Sequence, residues 1–146
     1  NVGEMNAIMF GVTKKEFSAI ARGVKTALIA KRRTSLFESP LKIYFYEKLG
    51  DLRNKENLGY TVYEHDGRGM VVGECVCNAV NCIELESVDK SLESALQMRA
   101  REISEYLQGD VGYIFFISDV KRYRKSLPLS SFGRSTAPST WCRVKE

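Results

Sequence analysis

The chain has 146 residues, 44% of them hydrophobic, and a formal net charge of +4. That is enough to bury one sizeable core and too little to divide into two domains. Apolar stretches such as residues 113–117 fall far short of membrane-spanning length and no charged-then-apolar signal pattern opens the chain, so a soluble, cytoplasmic protein without a membrane partner is expected.

Residues 1–5 read as a flexible or non-native leader ahead of a single domain over 6–146. Residues 6–12, Asn-Ala-Ile-Met-Phe-Gly-Val, predict a short buried strand. Thr13 with Glu16 three residues on is a capping-box pattern, predicting a helix over 14–22. Phe17, Ile20 and Ala21 share its apolar face, which makes Phe17 a core residue. Gly23 stops this helix in a left-handed conformation and sets Lys25 in a fixed position at the entry to a strand over 26–31, β-prone through Leu28 and Ile29. Residues 41–47 predict a third strand, with Lys42, Tyr44, Tyr46 and Lys48 on one side and Ile43 and Phe45 on the other. From 50 to 69 the chain turns polar, predicting a long excursion with a hairpin tip that could hold a lid.

Residues 70–80 form a strong strand pattern with Cys75 and Cys77 on one face. Leu92, Leu96, Ile103 and Leu107 lie on one stripe of a predicted helix over 92–107, with Gly109 as its stop. Residues 111–120 read as an aromatic-rich strand, 126–138 as a loop, and 141–144 as a terminal strand whose Trp141 packs into the core. Between them Lys121-Arg122-Tyr123-Arg124-Lys125 is a second basic patch, which taken alone reads as a solvated loop. Short strands with non-local pairing, two main helices and no strand-helix-strand regularity argue for an α+β fold, a small closed or partly open mixed β-barrel of about five to six strands.

The charge is unevenly spread. Residues 14–33 hold seven cations against one acid, 70–110 three against eight, and 111–146 seven against two. A basic face set against an acidic one favours nucleic acid as partner, because Lys and Arg neutralising phosphates supply most non-specific affinity. Lys25, Lys31, Arg32 and Arg33 are the candidate phosphate contacts, joined by Lys48, with Tyr44 or Tyr46 as a stacking platform for an unpaired base. The plain structural alternative is a solvated edge strand whose charges prevent sheet-to-sheet aggregation.

The four cysteines, Cys75, Cys77, Cys82 and Cys142, lack paired Cys-x2-Cys spacing, and one histidine cannot complete a site, so reduced thiols and no metal are expected. That histidine, His65, sits in a polar turn, which argues against a serine triad. P-loop, EF-hand, metalloprotease and dinucleotide fingerprints are absent and no cofactor is implied. The enzyme reading that survives pairs Lys25 with Glu74 and a hydroxyl, Thr26 or Ser118: a buried lysine of lowered pKa acts as base or nucleophile and the carboxylate shuttles a proton. The plain structural alternative, a salt-bridged or solvated carboxylate, is the favoured reading of Glu74.

The order of these pieces resembles the ASCH family of the PUA-like superfamily over nearly the whole chain. The resemblance rests on the Gly23-x-Lys25-Thr26 turn and on Gly69-Met-Val-Val-Gly-Glu-Cys, Gly112-Tyr-Ile-Phe-Phe-Ile-Ser-Asp-Val-Lys, Leu127-Pro-Leu-Ser-Ser-Phe and Ala137-Pro-Ser-Thr-Trp-Cys, and looks closest to short ASCH-like proteins of bacteria and phages. It implies a PUA-like barrel with a cleft lined by the Gly-x-Lys segment, a fold associated with RNA binding and RNA-linked activities, so that RNA or a nucleoside or nucleotide is the expected partner. It also implies two enzyme alternatives, amidohydrolases acting on N4-acylated cytidine nucleosides and ribonucleases. The family's Gly-x-Lys falls on Gly23 and Lys25, whereas the Glu and Arg that usually follow fall on Leu28 and Ala30, which removes a charged pair from the cleft; Lys31 and Arg32 stand nearby.

Overall fold

The computed structural model describes residues 6–31, 40–49, 52–55, 60–63, 67–109 and 111–144, with the backbone alone described in 52–55 and 60–63. The predicted leader, Arg32, Arg33 and His65 lie outside the described residues. The strands are β1 (Asn6–Val12), β2 (Ala27–Ala30), β3 (Leu41–Glu47), β4 (Leu52–Lys55), β5 (Tyr60–Tyr63), β6 (Met70–Ile83), β7 (Gly112–Leu127) and β8 (Trp141–Val144). Six of them form one mixed sheet in the spatial order β2-β7-β6-β3-β1-β8, while β4 and β5 pair antiparallel with each other in the polar excursion.

β1 and β3 run parallel near the middle of this sheet, with Ile8 opposite Ile43 and Phe10 opposite Phe45. Both of their faces are covered, which is why they read as near-continuous apolar runs. β6 and β7 form a long ribbon bent by three irregularities. β6 gains a residue at Asn78 and β7 one at Asp119, whose φ is 51. Between the pairs Gly73↔Arg122 and Val71↔Leu127, β6 then advances two residues while β7 advances five. Bulges increase local twist and bend a strand, so the sheet curls, but it does not close: β2 and β8 remain its edges. The expected mixed α+β sheet is therefore present as an open, curled sheet and not a closed barrel. The Lys121-to-Lys125 run, expected as a loop, is paired strand at Lys121 and Arg122 and a wide bulge beyond them.

Three helices are present among the described residues, α1 (Lys14–Ala21), α2 (Lys90–Leu96) and α3 (Ala100–Leu107). The capping box forms as expected, with Thr13 Oγ1 accepting from the Glu16 amide and the Glu16 carboxylate from the Thr13 amide, both at 3.0 Å. The single helix expected over 92–107 is two, because Gln97 takes a left-handed φ of 55. The stripe Leu92, Leu96, Ile103 and Leu107 continues across that break and packs on Ala27 and Ile114, so its spacing did not betray the interruption. No described helix is long and apolar enough to cross a membrane.

The main core fills the inside of the curl: Phe17 and Ile20 from α1 meet Ile8, Phe10, Leu28, Ile43, Phe45, Cys75, Cys77, Phe115 and Trp141. Cys75 and Cys77 thus share one strand face, and Trp141 and Phe17 are core residues, as expected. The opposite face carries a smaller cluster in which Met9, Tyr44, Tyr46 and Val71 lie against Leu129 and Phe132 of a 3-10 turn within the 126–138 segment. At the root of the excursion the buried Glu47 carboxylate accepts from the Arg68 amide at 2.9 Å. Gly67 stands so close to the Lys48 carbonyl that a Cβ would lie 1.5 Å from it, which only glycine avoids.

Candidate functional site

The Gly23-x-Lys25 segment is held by the ends of two helices. Gly23, at φ +75, donates to the Ile20 carbonyl at 3.0 Å, and Val24 donates to that of Ala19 at 2.9 Å. This pair of bonds is a Schellman motif, which satisfies carbonyls left over at the end of α1. The chain then crosses to the end of α2, where the Thr26 amide donates to Ala95 at 2.9 Å and Lys25 Nζ to the Leu96 carbonyl at 2.5 Å. A cation is favoured there, since unpaired carbonyls make a helix C-terminus negative.

Lys25 is only 6% exposed, and forms part of the floor of a cleft of about 660 Å³ between α1, the start of β2 and the α2–α3 corner. Lys15, Glu16, Ala19 and Arg22 line it from one face of α1, Leu96, Gln97, Met98, Glu102 and Tyr106 from the corner, and Phe10, Gly11, Ile29, Lys48, Ser139 and Thr140 from the sheet side. Four cations, Lys15, Arg22, Lys25 and Lys48, thus face two acids, Glu16 and Glu102. Both carboxylates have capping duties, Glu16 on the Thr13 amide and Glu102 on the Arg99 amide at 3.2 Å. Gly11 clears the path for Lys48, since a Cβ there would approach Lys48 Cε to 3.0 Å.

Burial lowers the pKa of Lys25, and the charge of Glu16 opposes that shift. Tyr106 is shifted upward by burial, against a hydrogen bond involving the Lys31 backbone and with the Glu16 charge adding to it. Lys31 Nζ lies 5.4 Å from the centroid of the Tyr106 ring, within cation–π range. The cleft therefore offers long-stemmed cations at its rim, a partly exposed aromatic ring, and a desolvated lysine on its floor.

The predicted site residues divide. Lys25 and Lys48 line this cleft, and Lys31 reaches it through Tyr106. Tyr44 and Tyr46 do not: alternation puts them on the side opposite Ile43, but that side is covered, leaving them 8% and 5% exposed. The Tyr44 ring lies 4.7 Å from that of Phe132, so neither tyrosine is an open stacking platform. Glu74 is also elsewhere, with its carboxylate 2.9 Å from Lys42 Nζ and accepting from the Tyr123 hydroxyl at 2.8 Å. Burial pushes that carboxyl up, but the bonds from Lys42 and Tyr123 and the charges of Lys42 and Lys121 outweigh it, leaving the pKa below the ordinary value. Thr26 is exposed beyond the cleft, and exposed Ser118 accepts from Asn78 at 3.3 Å on the ribbon. The structure brings neither Glu74 nor Ser118 to the cleft, and Thr26, though next to Lys25 in the chain, is not part of its lining; the carboxylates that line it are Glu16 and Glu102, and the Glu16 charge acts on Lys25.

Lys15, Arg22 and Tyr106 were not among the expected site residues. The spacing of Lys15, Ala19 and Arg22, four and then three residues apart, does mark one helix face. Nothing local marks Tyr106, whose position depends on the break at Gln97.

No protein-family model matches this chain, and no curated protein matches it by sequence. Solved structures do match. The crystal structure of ASCH from Zymomonas mobilis overlays with a TM-score of 0.70 at 14% identity, covering 96% of this chain and 88% of that one. A serine-to-alanine mutant of the Zymomonas mobilis protein overlays with a TM-score of 0.71 at 14% identity, covering 96% and 89%, and a tyrosine-to-phenylalanine mutant at 0.68 and 11%, covering 96% and 91%. At these identities the likeness is one of fold: the chain has the α+β fold of those ASCH structures.

Proposed function

We propose that this domain binds single-stranded RNA or a nucleotide in the cleft over Lys25, as a cytoplasmic RNA-binding module. The observation that carries the reading is the convergence of Lys15, Arg22, Lys25 and Lys48 around one concavity that also presents the Tyr106 ring. The cations fit phosphate and the ring fits an unpaired base, a combination typical of single-strand recognition. The ASCH-like fold is in keeping with it, though a fold by itself names no chemistry. Titration with nucleotides and short RNAs tests it. Lys48→Ala with Arg22→Ala should reduce the slope of log affinity against log salt by about 1.4, at roughly 0.7 per lost phosphate contact on a single strand. Tyr106→Leu should cost about 1–3 kcal/mol of binding through lost base stacking. Unchanged affinity in both variants would remove the cleft from consideration.

A second reading is favoured by one observation, the buried, pKa-lowered Lys25 facing Glu16. In it the cleft is an active site, either for an amidohydrolase on N4-acylated cytidine nucleosides or for a ribonuclease, with Lys25 as base or nucleophile and Glu16, not Glu74, as the carboxylate that shuttles a proton. Lys25→Arg separates the readings. Arginine keeps the charge and preserves much of a phosphate contact, but it does not deprotonate near neutral pH, so an enzyme would be as inactive as with Lys25→Ala. Turnover of acylated cytidine or labelled RNA lost equally in both variants would favour the enzyme.

A further inference from the structure

A second hollow adjoins the cleft beyond Thr140. Ser139 lines the cleft and also lines this hollow, which measures about 540 Å³ and is bounded by Arg134, Ala137, Trp141 and Arg143. The ridge between the two is anchored, since Pro138 is buried and the Gly11 amide donates to the Thr140 carbonyl at 2.8 Å. Ser139 itself is exposed on that ridge, Arg134 is steadied by donating from Nε to the Thr136 carbonyl at 3.3 Å, and Arg143 occupies an exposed position on the edge strand β8.

We propose that the two hollows are successive subsites of one single-stranded polynucleotide track. A nucleotide occupies the cleft, the adjoining phosphate crosses the ridge at the Ser139 hydroxyl, and a following phosphate lies between Arg134 and Arg143. This rests on the reading of the cleft as a nucleotide site and extends it to a minimum length of ligand. Arginine suits the second position because its planar fork of donors matches phosphate geometry. Two concave sites that share Ser139 suit a flexible single strand whose unpaired bases turn inward, not a duplex that offers mainly phosphates and sugar hydroxyls. The wide bulge of β7 carries another pair of cations, Arg124 and Lys125, both exposed, but they line neither hollow. They supply the control for diffuse attraction.

The experiment measures binding of a mononucleotide and of a short unstructured RNA to the parent, to Arg134→Ala/Arg143→Ala and to Arg124→Ala/Lys125→Ala across a salt series. The track requires the RNA to bind more tightly than the mononucleotide. It also requires the Arg134/Arg143 variant to lower the RNA salt slope by about 1.4, which corresponds to roughly 25-fold weaker binding at 0.1 M salt if the curves meet at 1 M. Mononucleotide binding should be unchanged in that variant, and the Arg124/Lys125 variant should lose clearly less. Arg134→Lys/Arg143→Lys, which keeps both charges, should recover the slope and so excludes misfolding as the cause. Equal losses in the two alanine pairs, or no gain of affinity with length, would overturn the track while leaving the cleft reading in place. A parent protein that binds neither ligand would overturn both.

Discussion

Gly23→Ala tests whether the left-handed turn is what sets Lys25 on the floor of the cleft. No atom lies within 4 Å of a Cβ built at Gly23, so the substitution creates no clash and only the backbone conformation at φ +75 resists it. A non-glycine residue in the left-handed region costs about 1–2 kcal/mol. The reduced freedom of the unfolded chain returns about 0.4–1 kcal/mol. A net loss of about 1 kcal/mol is therefore expected, with Gly23→Asn losing less because asparagine tolerates that conformation. Urea denaturation of the three proteins measures it, and an unchanged m-value would show that the denatured state is comparable. If the Schellman bonds to Ala19 and Ile20 loosen, nucleotide affinity should fall with stability, since Lys25 follows two residues later. An alanine variant at least as stable as the parent would refute the argument, because the open space around Gly23 leaves no other source of cost.

Three further outcomes follow from the charges and thiols. Lys25 has a folded-state pKa below its ordinary 10.5, so the unfolded chain holds more protons between those values and parent stability should rise with pH across that window. Lys25→Met should lack this rise, and parallel stability–pH curves for the two would contradict the burial argument. Glu74 has its pKa lowered, so its contribution is fully present above the ordinary carboxylate value of 4.5 and is lost as pH falls through the folded value. Tyr123→Phe should flatten the acid limb of the stability curve in that range, and an unaltered limb would show that Tyr123 does not support the carboxylate. Burial pushes the Cys77 thiol up to about 11 and raises Cys75 also, whereas Cys82 is exposed. Alkylation followed by mass spectrometry should label Cys82 well before either buried thiol, and early labelling of Cys75 would mean the core opens locally.

Local signals carried much of the fold. The Thr13/Glu16 box, the glycine stop at Gly23 and the alternation of residues 41–47 each act over a few residues, and each appears in the structure as read. The misreadings share a different cause, since they depend on what another segment does. Alternation correctly separates Tyr44 and Tyr46 from Ile43 and Phe45, yet the exposure of that face depends on Leu129 and Phe132, more than eighty residues away in a stretch that reads as loop. The position of Glu74 is likewise decided by Lys42 and Tyr123 on neighbouring strands. A strand pattern assigns a side chain to a face but not to a partner.

The same limit explains where the charge of the cleft comes from. On β2 the side chains of Leu28 and Ala30 point into the main core, 1% and 0% exposed, while Ile29 lines the cleft. A charged pair at 28 and 30 would have to be desolvated among Phe10, Phe115 and Ile117, which is costly unless the pair is fully hydrogen-bonded. With apolar residues at both positions, the interior of the curl is a packed core and β2 cannot charge the site. The cations are drawn instead from around the concavity, Lys15 and Arg22 from the outward face of α1 and Lys48 from just beyond the end of β3. Rim cations on long stems remain solvated and adaptable, which suits phosphates of a mobile single strand better than a fixed catalytic pair. On the proposed binding reading, Lys15, Arg22 and Lys48 are therefore the side chains whose removal should matter most.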